Sequence, residues 1–436
     1  MINRKGFIIS APTSGSGKTT LTLGMIRAFS EKRKVQPFKN GPDYIDTQFQ
    51  SLSANTDSYN LDTWAMSPNQ IFKIINSASD NSLCIVEGSM GLFDGVLKGK
   101  YSFTGSTADL SKLTGWPIIL VVDCAKQAQS SAALIHGFKT YEPDIQIAGV
   151  ILNNVSSARH QNLLVSEITK TKVPILGIMP KSPEIEIPER HLGLVQADEL
   201  NNIQEKLDKL SNFVKANCDL DKIEMIAAPI TAMKKTNELS IPPAQKIGIA
   251  KDHAFTFTYS HLLNSWKDQG AEISTFSPLN DEPPPKHVDL VWLPGGYPEL
   301  HLKILSSAER FKKGIYDFSK HKPVHGECGG YMVMGKNIIG SDKKNYSMAG
   351  IFNLTTSFEK RKLNLGYRVA TVQDPFFGFK TRDILLGHEF HYTSILEKKD
   401  PSIVTVEDAY GNDLGLLGSR RDCATGTFFH LIGSFE

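Results

Sequence analysis

The N-terminal half of the chain is organised around the stretch Phe7-Ile-Ile-Ser-Ala-Pro-Thr-Ser-Gly-Ser-Gly-Lys-Thr-Thr20. Its first four residues form an apolar strand pattern, small residues and a lysine follow, and Leu21 to Phe29 have the pattern of a helix. A loop in this setting presents backbone N–H groups to phosphate at the N-terminus of the helix. The stretch therefore predicts a phosphate-binding loop in a parallel α/β sheet.

The loop departs from the common motif G-x-x-x-x-G-K-[ST], because the first glycine would fall at Pro12 and only Gly17-Lys-Thr19 match strictly. We expect Lys18 to reach the β and γ oxygens of ATP, and Thr19 to bind Mg²⁺. A glycine-rich turn that only caps a helix would leave this lysine unexplained. The residues expected to contact the nucleotide are Ser14, Gly15, Gly17, Lys18, Thr19 and Thr20.

Acidic residues follow two further predicted strands, at the sheet edge where α/β proteins bind ligands. Asp43 comes after the strand Lys34 to Phe38, and Glu87 ends the strand Ser82 to Glu87. We expect both carboxylates to bind Mg²⁺ together with Thr19. The alternative is that Asp43 only shapes a turn. The residues expected to bind the substrate are Asp43, Tyr44, Asp46, Glu87 and Asp94.

A cysteine marks the second candidate site, in the stretch Lys322-Pro-Val-His-Gly-Glu-Cys-Gly-Gly-Tyr-Met-Val-Met334. The pattern G-x-C-x-G between an apolar strand and a helix is typical of a nucleophile elbow, a tight turn that exposes the reactive side chain. We expect Cys328 to act as nucleophile and the Gly329 N–H to stabilise an oxyanion. Gly295 and Gly296, which follow another strand, are expected to complete the oxyanion hole.

The cysteine also needs a base. The preferred candidate is His430, which we place at the end of an apolar strand in Gly426-Thr-Phe-Phe-His430. His388 and His391 are rival candidates, and Glu389 between them is a candidate carboxylate partner. The residues alone do not decide among the three histidines.

Bulk properties exclude several classes of protein. A net charge of +2 gives no electrostatic reason to expect nucleic-acid binding, and the longest apolar runs are too short to span a membrane. The first strand begins close to Met1, so we expect no targeting segment and a cytoplasmic location. Five scattered cysteines resemble neither a disulfide framework nor a zinc site.

Short Val/Ile-rich strands alternate with helical patterns on both sides of a charged, proline-bearing stretch, Lys234 to Pro243. Such alternation predicts parallel βαβ units, and the stretch reads as a linker. We therefore expect two doubly wound α/β domains. The N-terminal domain, 1–238, carries the phosphate loop, and the C-terminal domain, 239–436, carries the cysteine elbow.

Over essentially its whole length the chain resembles a known family, the glutamine-dependent cobyrinate a,c-diamide synthases, including the hydrogenobyrinate-using enzymes of the aerobic cobalamin pathway. The resemblance implies a ligase whose synthetase domain, similar to dethiobiotin synthetase, is fused to a class I glutamine amidotransferase domain. It implies ATP, Mg²⁺, glutamine and a corrinoid as ligands, favours His430 as the base, and leaves a homodimer open. The blocks that carry it are Ala11 to Thr20, Lys39 to Asp46, Glu87 to Gly95, Pro188 to Leu194, Gly295 to Glu299, Glu327 to Gly330, Leu365 to Arg368 and Gly387 to His391.

One departure from the class I pattern concerns the catalytic triad. Many class I amidotransferases have a carboxylate two residues after the histidine, where this chain has Ile432. The third member of the triad therefore stays open.

Two alternative functions remain. A related amidase that acts on nickel sirohydrochlorin shares the motifs. A ParA/MinD-like switch ATPase is a different class, but those proteins carry an additional lysine early in the loop, where this chain has Thr13.

Overall fold

A computed structural model describes residues 4–97, 103–182, 202–230, 241–360 and 362–435 of the chain. The chain divides into two compact units, Met1–Asn237 and Glu238–Glu436. The boundary predicted between residues 238 and 239 and the block Pro188 to Leu194 lie outside the described residues.

The first unit alternates strands and helices along nearly all of its described length. The elements are β1 (Lys5–Ser10), α1 (Lys18–Ser30), β2 (Val35–Asn40), α2 (Ile45–Ala54), β3 (Tyr59–Leu61), α3 (Pro68–Ser77), β4 (Leu83–Glu87), α4 (Thr107–Thr114), β5 (Ile118–Asp123), α5 (Ser131–Tyr141), β6 (Ile147–Val155), α6 (Ala158–Ile168), β7 (Ile175–Pro180), α7 (Ile203–Asn217), α8 (Leu220–Ile226) and β8 (Ala228–Pro229).

Seven strands of this unit pair in parallel in the order β3-β2-β4-β1-β5-β6-β7, and β8 pairs antiparallel to β1. The strands are continuous apolar runs because helices cover both faces of a parallel sheet. Ile118 to Val122, for example, are fully buried. Helix α1 lies close to α7, where a Cβ on Gly24 would come within 2.6 Å of Val214 Cγ2. The predicted doubly wound domain is confirmed, and β1, β4 and β2 bring the phosphate loop, Glu87 and Asp43 to one edge.

The second unit begins in the same way and then becomes rich in strands. Its elements are β9 (Lys246–Ala250), α9 (Ser260–Asp268), β10 (Glu272–Phe276), β11 (Leu290–Leu293), α10 (Leu302–Ser307), α11 (Glu309–Ser319), β12 (Val324–Glu327), α12 (Gly329–Met334), β13 (Asn337–Ile339), β14 (Asn345–Ser347), β15 (Leu354–Ser357), β16 (Asn364–Val372), β17 (Ile384–His391), β18 (Ser394–Lys398), β19 (Val404–Asp408), β20 (Asp413–Leu417), β21 (Ser419–Arg421), β22 (Ala424–Thr427) and β23 (His430–Phe435).

Its main sheet has the order β10-β9-β11-β12-β22-β21, parallel except for β21, which confirms an α/β domain. Two further sheets, β14-β13-β15-β18 and the antiparallel β20-β19-β16-β17-β23, were not predicted. The second of these covers the elbow region, since the Phe390 carbonyl of β17 lies 3.7 Å from Cys328 Sγ.

The predicted position of His430 at the end of a strand is wrong. Strand β22 ends at Thr427, where the Thr427 hydroxyl donates a 3.0 Å hydrogen bond to the Phe429 carbonyl, and His430 begins β23. The apolar run is broken because the chain leaves the parallel sheet there and enters the antiparallel sheet. No helix in the described ranges is both long and apolar enough to cross a bilayer.

Candidate active sites in the two units

The phosphate loop connects β1 to α1 through two left-handed glycines, Gly15 (φ 75°) and Gly17 (φ 87°). Glycine adopts this conformation without the Cβ strain that other residues suffer. The Asn153 side chain donates a 3.0 Å hydrogen bond to the Ser16 carbonyl, which fixes the loop from the β6 side. The predicted nucleotide contacts Ser14, Gly15, Gly17, Lys18, Thr19 and Thr20 all line one cleft of about 790 Å³.

Lys18 points across this cleft and donates a hydrogen bond to the Met90 carbonyl. Burial lowers the pKa of Lys18 to about 8, and the nearby positive charge of Lys39 lowers it further. The carboxylate of Glu87 acts in the opposite direction. A cation that is partly desolvated in this way is stabilised by the charge of a phosphate. An anion in this cleft would therefore stabilise the charged form of Lys18.

Glu87 joins the loop to two neighbouring elements. Its Oε1 accepts a 2.6 Å hydrogen bond from the Thr19 hydroxyl and lies 3.0 Å from Lys39 Nζ, and its Oε2 accepts a 2.8 Å bond from Gln50. The carboxylate has no solvent exposure, and burial raises its pKa while Lys39 opposes that rise. A carboxylate beside a hydroxyl is a set of hard oxygen ligands of the kind that Mg²⁺ takes.

Lys39 and Gln50 were missed in the sequence analysis. Lys39 is buried and contacts Asp46 at 2.5 Å as well as Glu87. Burial alone would lower the pKa of Lys39, but the charges of Asp46 and Glu87 outweigh it and raise the pKa above its usual range. The available signal was a lysine inside the otherwise uncharged strand Val35–Asn40, because a lysine is almost never buried unless it is paired.

The other predicted substrate residues have local roles. Asp43 Oδ1 accepts hydrogen bonds of 2.8 and 2.9 Å from the N–H groups of Ile45 and Asp46. This oxygen therefore shapes the turn, as the alternative interpretation of Asp43 expects. Burial, together with the charge of Asp46, raises the pKa of Asp43 to about 6. Tyr44 is buried at the start of α2, and the exposed Asp94 accepts a 2.8 Å bond from the Gly91 N–H.

In the second unit the backbone at Cys328 is strained, with φ 46° and ψ −104°, between β12 and α12. Its N–H donates a 2.8 Å hydrogen bond to the Thr427 carbonyl. A Cβ on Gly330 would lie 2.0 Å from the Leu293 carbonyl oxygen, so only glycine fits directly behind the elbow. A positive φ at a non-glycine residue in such a strand-to-helix turn is the geometry of a nucleophile elbow.

The predicted oxyanion glycines lie next to the elbow. A Cβ on Gly329 would be 3.1 Å from the Gly296 nitrogen, and a Cβ on Gly295 would be 2.4 Å from His430 Cε1. A Cβ on Gly296 would be 2.1 Å from the Ala254 carbonyl oxygen, which excludes any larger residue there. The structure therefore brings all three glycines together beside the cysteine turn and His430.

Burial determines the resting protonation of this second site. It raises the pKa of the Cys328 thiol above its ordinary range, and the charge of Glu299 adds to that rise. Burial also lowers the pKa of His430 well below its ordinary value, because the ring is fully enclosed. A neutral thiol can react as a nucleophile only if a base takes its proton, and a neutral imidazole can serve as that base.

The rival histidines are close to this pair. The His388 ring is 5.0 Å from the His430 ring, whereas His391 stacks on Phe428 at 4.1 Å. Glu389, the candidate carboxylate partner, makes a 2.9 Å ion pair with Arg368. Glu327 was not predicted as a site residue, but its Oε2 lies 3.8 Å from His430 Nδ1.

Comparisons with known proteins agree with this pair of sites. Residues 7–195 match the model of the CobQ/CobB/MinD/ParA nucleotide binding domain, and residues 246–435 match that of the CobB/CobQ-like glutamine amidotransferase domain. A solved glutamine amidotransferase structure aligns with 42% of this chain and 89% of its own, at 12% identity and a TM-score of 0.30, which is too remote to support an argument.

Two curated relatives match nearly the whole chain. The hydrogenobyrinate a,c-diamide synthase of Rhodobacter capsulatus is 45% identical over 429 residues, and that of Agrobacterium fabrum is 43% identical over 433 residues. Each alignment covers 98% of both proteins. The chain therefore belongs to the hydrogenobyrinate a,c-diamide synthase family, whose members are amidating ligases that join a nucleotide-binding domain to a glutamine amidotransferase domain.

Proposed function

We propose that the chain amidates the a and c carboxylates of hydrogenobyrinate or cobyrinate in the cytoplasm, with ATP as energy source and glutamine as nitrogen donor. The observation that supports the proposal is that one chain has both a strand-to-helix phosphate loop with Lys18 and Thr19 and a strained cysteine turn that is typical of a nucleophile elbow. We assign residues 1–238 to the synthetase reaction and residues 239–436 to glutamine hydrolysis.

Glutamine hydrolysis begins when Cys328 Sγ attacks the side-chain amide carbon and His430 takes the thiol proton. The oxyanion of the tetrahedral intermediate accepts hydrogen bonds from the Gly329 N–H and from the turn at Gly295 and Gly296. His430 then gives its proton to the departing nitrogen, and ammonia leaves. Water hydrolyses the remaining thioester to glutamate and regenerates the thiol.

In the synthetase reaction a carboxylate oxygen of the corrinoid attacks the γ-phosphorus of ATP, and ADP leaves. Ammonia attacks the carbonyl carbon of the resulting acyl phosphate, and inorganic phosphate departs with the oxygen that the carboxylate has lost. Lys18 stabilises the charge on the transferred phosphoryl group. Repetition at a second carboxylate gives the diamide.

Thr19 and Glu87 would hold Mg²⁺, and Asp43 remains a further candidate ligand. When bound, the ion supplies positive charge that offsets the charge of the phosphates. The ion pair with Lys39 fixes the position of Glu87 and compensates the negative charge of this buried carboxylate. This arrangement supports the proposed cofactors ATP and Mg²⁺.

A switch ATPase with a decayed second domain does not need a strained cysteine, three close-packed glycines or a buried histidine, all of which this chain has.

The proposal is tested by measuring ADP release with hydrogenobyrinate, cobyrinate or nickel sirohydrochlorin in the presence of ammonia. We expect release with a corrinoid, and its loss in Lys18→Ala with either nitrogen source. Normal ammonia-dependent turnover in Lys18→Ala would remove this lysine from phosphoryl transfer.

A further inference from the structure

The catalytic histidine lacks a carboxylate at the sequence position where the class I pattern places one. Ile432, two residues after His430, is fully buried and apolar. A neutral imidazole without a fixed partner can turn, or can carry its proton on either nitrogen, and either change weakens it as a base. A carboxylate that compensates the charge of the His430 imidazolium must therefore come from elsewhere in the fold.

We infer that Glu327 is this partner: its carboxylate orients His430 and stabilises the imidazolium that forms when Cys328 attacks. Glu327 Oε2 lies 3.8 Å from His430 Nδ1. Both side chains are almost fully buried, with exposures of 3% for Glu327 and 0% for His430. The inference rests on the proposed glutamine hydrolysis.

The fold connects the carboxylate to both catalytic residues. Glu327 is the last residue of β12 and directly precedes Cys328, and β12 pairs in parallel with β22, where Glu327 is opposite Thr427. The backbone N–H of Leu431 opposes the rise that burial causes in the pKa of Glu327. The carboxylate therefore lies next to the segment that begins β23, where His430 is the first residue.

Other ionisable groups around His430 do not supply the same charge. His388 and His391 on β17 have pKa values lowered by burial to about 3 and about 4, so they are neutral at pH 7. Burial raises the pKa of the Cys328 thiol, and the charges of Glu299, Glu389 and Glu327 add to that rise. Glu389 is held by Arg368 through a 2.9 Å ion pair.

The chemistry of the step explains why the carboxylate matters. Burial raises the pKa of Glu327 and lowers that of His430, so the surroundings disfavour an isolated charge on either group. When His430 takes the thiol proton at Nε2, the Nδ1–H faces the carboxylate and the two opposite charges compensate each other. In its anionic form Glu327 thereby fixes the tautomer that leaves Nε2 free to accept.

The test compares Glu327→Gln, Glu327→Asp and the matched control Glu272→Gln, at an exposed glutamate that begins β10, in the full chain. Glutamine hydrolysis is measured across pH, with ammonia-dependent amidation and the unfolding midpoint as checks on folding. For Glu327→Gln we expect kcat/KM to fall on the order of 10²- to 10⁴-fold, mainly through kcat, as for other orienting carboxylates. The acidic limb of the profile should move to lower pH, because His430 loses its neighbouring negative charge.

Glu327→Asp should restore part of the rate and return the limb toward the wild-type position, whereas Glu272→Gln should leave the limb in place. A purely structural role for Glu327 would change stability but not the position of the limb. If Glu327→Gln does not fold, Glu327→Ala also removes the carboxylate, and the pH dependence of Cys328 alkylation by iodoacetamide in that variant gives the same readout. A wild-type profile in Glu327→Ala overturns the inference.

Two other results also contradict the assignment. Wild-type kcat/KM with an unshifted limb in Glu327→Gln would overturn it, and so would an equal shift of the limb in Glu272→Gln. A wild-type chain that does not hydrolyse glutamine would instead overturn the proposed function, so the two failures are distinguishable.

Discussion

The Thr19 hydroxyl donates a 2.6 Å hydrogen bond to Glu87 Oε1, which joins the phosphate loop to the end of the neighbouring parallel strand. The same oxygen contacts Lys39 Nζ. The loop is therefore fixed at the carboxyl end of the sheet, where the phosphates and the reacting carboxylate have to meet.

The first prediction concerns this contact. Glu87→Gln removes the charge that balances buried Lys39 and weakens the hydrogen bond that Thr19 donates. ATP-dependent amidation should therefore fall at least 100-fold, with ammonia as well as with glutamine. Loss of a partner of a buried ion pair typically costs about 3–5 kcal/mol, so the unfolding midpoint of the first unit should also drop. Full activity in Glu87→Gln would make Glu87 a structural residue only.

Asp94→Asn provides a comparison for that variant. The asparagine keeps an oxygen that can accept the Gly91 N–H, so the stability of the loop should not change. We expect amidation to be lost if Asp94 contacts the substrate or Mg²⁺. Wild-type rates in Asp94→Asn would restrict Asp94 to its observed role in the turn.

The second prediction separates the two reactions. Cys328→Ala should abolish glutamine-dependent amidation and leave ammonia-dependent amidation intact, because the thiol serves only to release ammonia. His430→Ala should behave in the same way, and His391→Ala should retain most glutamine-dependent activity. Parallel rate measurements with glutamine and with ammonium chloride check this, and substantial glutamine hydrolysis by Cys328→Ala would remove the thiol from the mechanism.

The third prediction concerns the packing behind the elbow. Gly330→Ala would place a Cβ 2.0 Å from the Leu293 carbonyl oxygen, so the backbone must shift and glutamine hydrolysis should be lost. We expect a cost of about 1–3 kcal/mol in unfolding free energy, typical of overpacking a core. Gly137→Ala in the exposed part of α5 is the matched control, since no atom lies within 4 Å of the added Cβ. It should be neutral or stabilising by about 0.5–1 kcal/mol.

The fourth prediction is a pH dependence of stability. Burial lowers the pKa of His261 to about 4 in the folded state, although its Nε2 lies 3.0 Å from the Ile432 carbonyl oxygen. In the unfolded chain the histidine titrates near 6.5, so below that pH the unfolded state binds more protons than the folded state. The second unit should therefore lose stability as the pH falls from about 6.5 toward 4, by about 3 kcal/mol from this residue.

Urea unfolding of the full chain at pH 7.5 and pH 5, followed by a tryptophan signal, measures this effect. His261→Gln should show a smaller loss between the two pH values than the wild type. His321→Gln, at an exposed position, should behave like the wild type. An equal loss in His261→Gln and in the wild type would remove His261 as a source of the effect.

Much of the fold could be predicted because its signals are local. A strand, a glycine-rich loop and a helix occupy neighbouring positions around Lys18, and the same is true around Cys328. The ends of strands such as Ile118–Asp123 also follow directly from apolar runs.

Other features depend on partners that are distant in the sequence. Lys39 meets Glu87 across 48 residues, and nothing near Glu327 indicates that His430 packs against it. The change of sheet after Thr427 is invisible in an apolar run, because residues in both sheets are buried. For the same reason the antiparallel sheet of β16, β17, β19, β20 and β23 was not anticipated.

The most direct test of the proposed function is time-resolved mass analysis of the reaction of the purified chain with ATP, Mg²⁺, glutamine labelled with ¹⁵N in the side-chain amide, and hydrogenobyrinate or cobyrinate. We predict a transient monoamide followed by a diamide, each new amide carrying ¹⁵N, because one site must present two carboxylates in turn. Absence of a reaction with both corrinoids, together with amidation of nickel sirohydrochlorin, would contradict the substrate assignment. Unlabelled amides would contradict glutamine as the source of nitrogen.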